Sequence, residues 1–218
     1  MDSQKIKTDI EETLYWDPRV DSTKIEVEVE KEKATLKGTI NSYSSKIAAV
    51  NDAWSVFGVL DVESKLNIKY PTTDTLPSDS ELEKNIEKSL LWDPFIDSKN
   101  INVSVENGKV TLEGNVNEYW KIKKVERKAD IVGVIDIINK LTVTPTQSVL
   151  DKDIAKDVTN AIDRNTNVDI DNINIKVKNG NVTLSGTVNN RNAFNAAESS
   201  AYYTLGVREV NNNLAIKY

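Results

Sequence analysis

The sequence predicts an α+β fold of three tandem small αββαβ domains, each a mixed three-stranded sheet covered on one face by two helices. Three observations lead there. A unit of about 65 residues recurs as Asp9 to Tyr70, Asn85 to Thr144 and Asp157 to Tyr218, a spacing that marks an array. A strand-like phrase recurs inside it: Thr35-Leu36-Lys37-Gly38-Thr39-Ile40, Thr111-Leu112-Glu113-Gly114-Asn115-Val116 and Thr183-Leu184-Ser185-Gly186-Thr187-Val188. The apolar period switches from four to two and back within each unit, as it must when helices and strands alternate. The expected domains are 1–70, 79–144 and 145–218, with a linker at 71–78. Units this small are near the lower size for an independent core.

Each unit opens on a helix. Ile6, Ile10 and Leu14 recur at four-residue spacing, as do Leu82, Ile86 and Leu90, and Ile154, Val158 and Ile162. Each set makes one apolar stripe. Ser80 and Asp151 suit N-caps. The helix stops at Trp16-Asp17-Pro18 and Trp92-Asp93-Pro94, where proline forces the preceding Asp into extended geometry. Unit three has Arg164-Asn165-Thr166 instead. A hairpin follows. Ile25, Val27 and Val29 alternate with glutamates, and Ile101, Val103, Val105 and Ile173, Ile175, Val177 alternate with polar residues, giving one buried and one wet face. Asn107-Gly108 and Asn179-Gly180 supply the positive-φ turn residues; Lys31-Glu32 in unit one is a poorer turn. A second helix is expected at 44–56, 119–131 and 192–204, set close on the sheet by Ala53, Ala129 and Ala201. Gly58, Gly133 and Gly206 suit its C′ position. The last strand runs through Val62, Leu66 and Ile68, Ile137, Leu141 and Val143, and Val210, Leu214 and Ile216. A crossover through the second helix makes it parallel to a hairpin strand. The linker from Tyr70 to Asp79, with Pro71 and Pro77, reads as extended and semi-rigid.

Composition excludes much chemistry. With no Cys and no His, disulfides, thiol catalysis and a histidine general base are ruled out, and a zinc site has lost its usual ligands. No P-loop, dinucleotide fingerprint or EF-hand frame appears, so we expect no cofactor, no metal and no enzymatic activity. Net charge is −6, and Lys+Arg against Asp+Glu run 10 to 13, 10 to 12 and 8 to 8 across the three units. No unit is basic enough for nucleic acid. The start lacks a signal-peptide apolar run and no stretch approaches a transmembrane span. A cytoplasmic protein is expected as written, a periplasmic one if a leader has been removed. Oligomeric state is not legible.

The order and phrases resemble the BON domain, a family typified by bacterial OsmY and nodulation proteins. The resemblance rests on Val-Thr-Leu-x-Gly-x-Val (Val110 to Val116 and Val182 to Val188, with Ala34 replacing the first Val in unit one). It rests also on the Ala-rich second helix, and on Gly133-Val134 with Asn139-Lys140-Leu141 and Gly206-Val207 with Asn213-Leu214. It covers nearly the whole chain. It implies an αββαβ fold, no catalysis, and a role at phospholipid membranes in osmotic or envelope stress, with transport-associated modules among the relatives. It implies no particular set of binding residues.

Two groups of residues are candidates for binding an anionic phospholipid surface or a protein partner. Trp120, Lys124, Arg127 and Lys128 share an outer sector of the second helix of unit two, with Lys121 and Lys123 nearby; a basic helix face with an interfacial Trp suits anionic headgroups. The blander reading is a solvated face with local Glu pairing. Trp16 and Trp92, each before Asp-Pro, are anchors if exposed, or else rings that close the core at the end of helix one. Polar strand faces, acidic at Glu26, Glu28 and Glu30 and basic at Lys176 and Lys178, offer a third surface. The leading expectation is a non-enzymatic, stress-linked protein that binds phospholipid surfaces weakly and multivalently; the alternative is a protein-interaction scaffold or chaperone-like module.

Overall fold

The computed structural model describes residues 2–70 and 76–217; the linker expectation falls largely on 71–75, outside the described residues. The first repeat runs α1 (Ser3–Trp16), β1 (Ile25–Glu30), β2 (Lys33–Ile40), α2 (Tyr43–Ser55) and β3 (Asp61–Ile68). The second runs α3 (Asp79–Leu91), β4 (Ile101–Glu106), β5 (Lys109–Val116), α4 (Trp120–Ala129) and β6 (Asp136–Val143). The third runs α5 (Asp151–Asp163), β7 (Ile173–Lys178), β8 (Asn181–Val188), α6 (Arg191–Tyr202) and β9 (Glu209–Ile216). The three sheets are ordered β1-β2-β3, β4-β5-β6 and β7-β8-β9. Each is mixed: the hairpin pairs antiparallel and the last strand joins parallel to its middle strand, as in Val27↔Leu36 with Leu36↔Ser64 and Ile175↔Leu184 with Leu184↔Asn212. The chain divides into two compact units, residues 1–85, 105–110 and 129–137, and residues 86–104, 111–128 and 138–218. The middle repeat contributes to both.

The stripes do what their spacing demands. Ile6, Ile10 and Leu14, Leu82, Ile86 and Leu90, and Ile154, Val158 and Ile162 are all buried. In the first repeat they meet Val27, Leu36, Ile40 and Leu66 of the sheet and Ala49 and Ala53 of α2. In the third they meet Leu184, Val188, Leu214, Ala197 and Ala201. Alanine at these helix positions lets α2 and α6 lie close to the strands.

The glycine in the repeated phrase has one physical cause. Gly38, Gly114 and Gly186 hold φ of 123°, 122° and 123°. A Cβ on them would stand 2.0 Å from the carbonyl oxygen of Lys24, Asn100 and Asn172 respectively. Those carbonyls belong to the last residues of the short 3₁₀ turns at Ser22–Lys24, Ser98–Asn100 and Ile170–Asn172 that lead into β1, β4 and β7. The phrase is therefore a docking point for the backbone of the preceding turn.

Some boundaries and caps differ from expectation. The second helices are shorter at their C-terminal ends, so Gly58, Gly133 and Gly206, though at positive φ, lie beyond C′. Ser80 is not a cap. Ser78 is: its N–H and hydroxyl donate to the Glu81 carboxylate at 2.9 and 2.7 Å, and the Glu81 N–H returns to Ser78 Oγ at 3.4 Å, a capping box. Asp151 is the first helical residue, preceded by Leu150 at the N-cap. Its carboxylate has another use, accepting the Asn179 and Gly180 N–H groups of the facing hairpin turn at 2.7 and 2.9 Å. Asp79 accepts Asn107 and Gly108 in the same way, at 2.7 and 2.9 Å. In the first repeat the corresponding contact among the described residues is the Ser3 hydroxyl donating to the Lys31 carbonyl at 3.4 Å, and Lys31 holds φ 58° without glycine after it. Asp151→Ala should cost about 2 kcal/mol, the range for hydrogen bonds to a charged acceptor, read as a lower urea midpoint for the third repeat. An unchanged midpoint would show that the turn stands without the clamp.

Candidate functional site

The Trp-Asp-Pro turns leave their rings outside the core. Leu14 and Leu90 are buried, and two residues on is about 200° further round a helix. Trp16 and Trp92 therefore point away from the stripe, each 77% exposed. This corrects the reading in which they close the core. Tyr15 stands edge-on to Trp16 at 5.2 Å between centroids, and Tyr15, Leu91 and Phe95 are exposed as well. Each turn thus carries a small apolar prominence.

The Asp of the same motif is the residue whose role the sequence conceals. Asp93 is only 6% exposed. Its Oδ1 accepts the Phe95 N–H at 3.0 Å, and its Oδ2 faces Lys124 Nζ at 3.1 Å and Lys128 Nζ at 3.3 Å. Burial pushes the carboxyl pKa up, but the Phe95 N–H and the two ammonium groups outweigh it and hold it below its ordinary value. Lys124 also lies 4.6 Å from the Phe95 ring centroid and 5.8 Å from that of Trp120. Its charge is enclosed by one carboxylate and two aromatic faces.

The remaining basic-helix residues are engaged too. Lys121 pairs with Glu118 at 3.2 Å and donates to Asn117 Oδ1 at 2.8 Å, and the Trp120 indole N–H donates to Glu118 at 2.8 Å. Lys123 pairs with Glu198 of α6 at 3.4 Å and sits 5.1 Å from the Tyr202 ring. Tyr202, 5% exposed, accepts the Lys123 N–H at 3.1 Å and donates to the Trp120 carbonyl at 2.7 Å. Burial drives its phenol pKa well above the usual range. Tyr119 packs on the core of the third repeat and edge-on to Tyr202 at 5.1 Å. Arg127 is exposed. So Trp120, Lys121, Lys123, Lys124, Arg127 and Lys128 all lie on α4, but most of their charge is matched inside the protein and part of the face holds α6. Sequence reasoning missed Asp93, Glu198 and Tyr202. Only Asp93 carried a signal, by recurring as Asp17.

In the first repeat the joint between α1 and α2 has other chemistry. Asp17 accepts the Arg19 N–H at 2.8 Å and its Nε–H at 3.0 Å. Hydrogen bonding from the Arg19 side chain lowers the Asp17 pKa to about 2. Asp52 of α2 lines the same cleft with Asp9, Glu12, Trp16 and Arg19.

The BON domain model matches three times, over residues 2–70, 78–145 and 150–218. The chain belongs to the BON domain family. The chain is similar to osmotically-inducible protein Y of Escherichia coli (strain K12), 28% identical over 145 residues that cover 65% of this chain and 72% of that protein. Two solved structures of CdsD, a structural protein of the type III secretion system of Chlamydia trachomatis, overlay on the BON chain at a TM-score of 0.28 with 15% identity. One, of the C-terminal domain, covers 100% of both chains, and the other 98% of this chain and 92% of its own. Nothing is built on so loose an overlay. Among the described residues no helix is long and apolar enough to cross a membrane.

Proposed function

We propose that this BON protein binds phospholipid surfaces without catalysis, through weak contacts that add up along the array, in a response to osmotic or envelope stress. The observation that carries this is the exposure of Trp16 and Trp92 on equivalent turns of two repeats. An exposed indole flanked by apolar neighbours partitions to the headgroup boundary, and linked weak sites gain from avidity. The stress setting comes from the family and from the osmotically inducible relative. The net charge of −6 opposes anionic bilayers, and the lysines of α4 are largely matched. Ring burial therefore supplies most of the attraction, and salt dependence should be shallow.

The test is co-sedimentation of the full chain with anionic and neutral vesicles at low and high salt. Trp16→Ser and Trp92→Ser should each weaken binding about tenfold, the effect of losing roughly 1.4 kcal/mol of ring burial. Unchanged binding in the double variant would overturn the reading. A second reading, a protein-interaction scaffold, is favoured by the contact in which Tyr202 seats on α4, because that face already packs against another element of the chain. Absence of vesicle binding, together with recovery of a defined partner, would select it.

A further inference from the structure

The joint between the first and second helices is built on one plan in all three repeats, and the plan ends in three different chemistries. An Asx side chain leaves helix one and accepts the N–H two residues on: Asp17 from Arg19 at 2.8 Å, Asp93 from Phe95 at 3.0 Å and Asn165 from Asn167 at 3.2 Å. Helix two answers from the position before its buried alanine, which is Asp52, Lys128 or Ser200. In the second repeat an ammonium meets a carboxylate. In the third the Ser200 hydroxyl donates to its own helix, at the Ala196 carbonyl, and the joint is neutral. In the first repeat a carboxyl group faces a carboxyl group. Asp52 Oδ2 is buried and has no hydrogen-bond partner. The one nearby cation, Arg19, is committed to Asp17 through both its Nε and its NH2 group.

An orphaned, buried carboxylate oxygen beside a second carboxylate is costly as it stands, and one proton resolves it. We propose that Asp17 and Asp52 hold a single proton between them in mildly acidic conditions, so that an O–H···O bond from Asp52 to Asp17 closes the α1–α2 joint of the first repeat and loss of that proton loosens it. The charged groups that share the cleft of Asp52 are Asp9 and Glu12 from α1, with Asp9 paired to Lys5 at 3.0 Å, and Asp17 and Arg19 from the turn after it; of these Asp17 and Arg19 act on Asp52. Burial first, then the charge of Asp17 and the hydrogen bond to it, raise the Asp52 pKa to about 6, with Arg19 opposing. Asp17 stays low, as the acceptor. Because the folded value of Asp52 lies above the unfolded one, its contribution to stability is complete below about pH 4 and disappears as pH rises through about 6. Asp17 runs the other way and loses its contribution only near pH 2.

Carboxyl carbon NMR on the full chain tests this. One carboxyl should titrate near pH 6, about two units above the ordinary aspartate range, and vanish from the titration in Asp52→Asn. Amide exchange, corrected for its intrinsic pH dependence, should show Trp16, Asp17 and Arg19 gaining protection several-fold between about pH 7.5 and pH 5.5. Asp52→Asn, whose amide donates to Asp17 at any pH, should show the protected level throughout. Asp52→Ser, which carries the third repeat's chemistry, should show no pH response and keeps the test open if Asn is poorly accommodated. Titration of every aspartate below about pH 5, or the same pH response in Asp52→Asn as in the parent, overturns the proposal.

Discussion

Gly186→Ala should unfold the third repeat while leaving the first folded. The added methyl would stand 2.0 Å from the Asn172 carbonyl oxygen, at a φ of 123° that alanine rarely adopts. Both objections are to backbone, so no rotamer change relieves them. Gly186 pairs with Ile173 on one side and Leu214 on the other, so any shift breaks register with two strands at once. The expected loss exceeds about 4 kcal/mol, the range reserved for substitutions that defeat a fold's own geometry, and is comparable to all the stability a domain this small commands. The measurement is amide dispersion in a heteronuclear spectrum. Signals from residues 151–216 should collapse to the unfolded range while those of 3–68 persist. A native-like third repeat would show that the turn before β7 can retreat at little cost.

The second large effect concerns Lys124 and Lys128. Replacing both with Gln should destabilise the middle repeat by about 3 kcal/mol at neutral pH, because Asp93 would remain buried and charged with no cation beside it. The sign with pH follows from the depressed Asp93 pKa. Its contribution in the parent is present above the unfolded aspartate value and is lost as pH falls through the lower, folded one. The gap between parent and variant should therefore be widest near neutrality and shrink as pH falls, because without the lysines burial pushes the Asp93 carboxyl up and the variant takes up the proton first. Adding Asp93→Asn to the double variant should recover most of the loss, since Asn165 fills the same turn in the third repeat with no charge. Denaturant midpoints of the four proteins across pH check the cycle; no recovery on adding Asn would mean that the lysines act through packing rather than through Asp93. The cycle also bears on membrane binding. A variant that strips every lysine from α4 damages this core contact, so lost vesicle binding there would not identify a lipid site, whereas the exposed tryptophans can be removed without touching it.

What was legible in the sequence was whatever depends on near neighbours along the chain. Four-residue stripes and strand alternation each name their own geometry and hold in all three copies, and the Asn-Gly turns do so in the second and third. What escaped depends on partners far along the chain. Asp151 looked like a helix cap because nothing local shows that two turn amides await it 28 and 29 residues on. The lysines of α4 looked like a free cationic face because their counter-charges, Asp93 and Glu198, come from a different helix end and a different repeat, the latter 75 residues away. The place of the tryptophans was open for a simpler reason: apolar character points to the core and helical phase away from it, and phase, which puts position 16 on the far side from position 14, decides.

The three unlike joints bear on how a chain of near-copies assembles correctly. Tandem domains that share a core plan are prone to exchanging equivalent helices while they fold. Buried stripes of Ile and Leu at common spacing do little to prevent it. The joints do discriminate. A helix ending in Asp93 seated against α2 would set two carboxylates together and forfeit both lysines, and the helix ending in Asn165 would offer Lys128 a neutral amide in place of a charge. The joints of the second and third repeats therefore disfavour these exchanges, whereas α1 ends in the same carboxylate as α3, Asp17 for Asp93, and its joint does not tell the two apart.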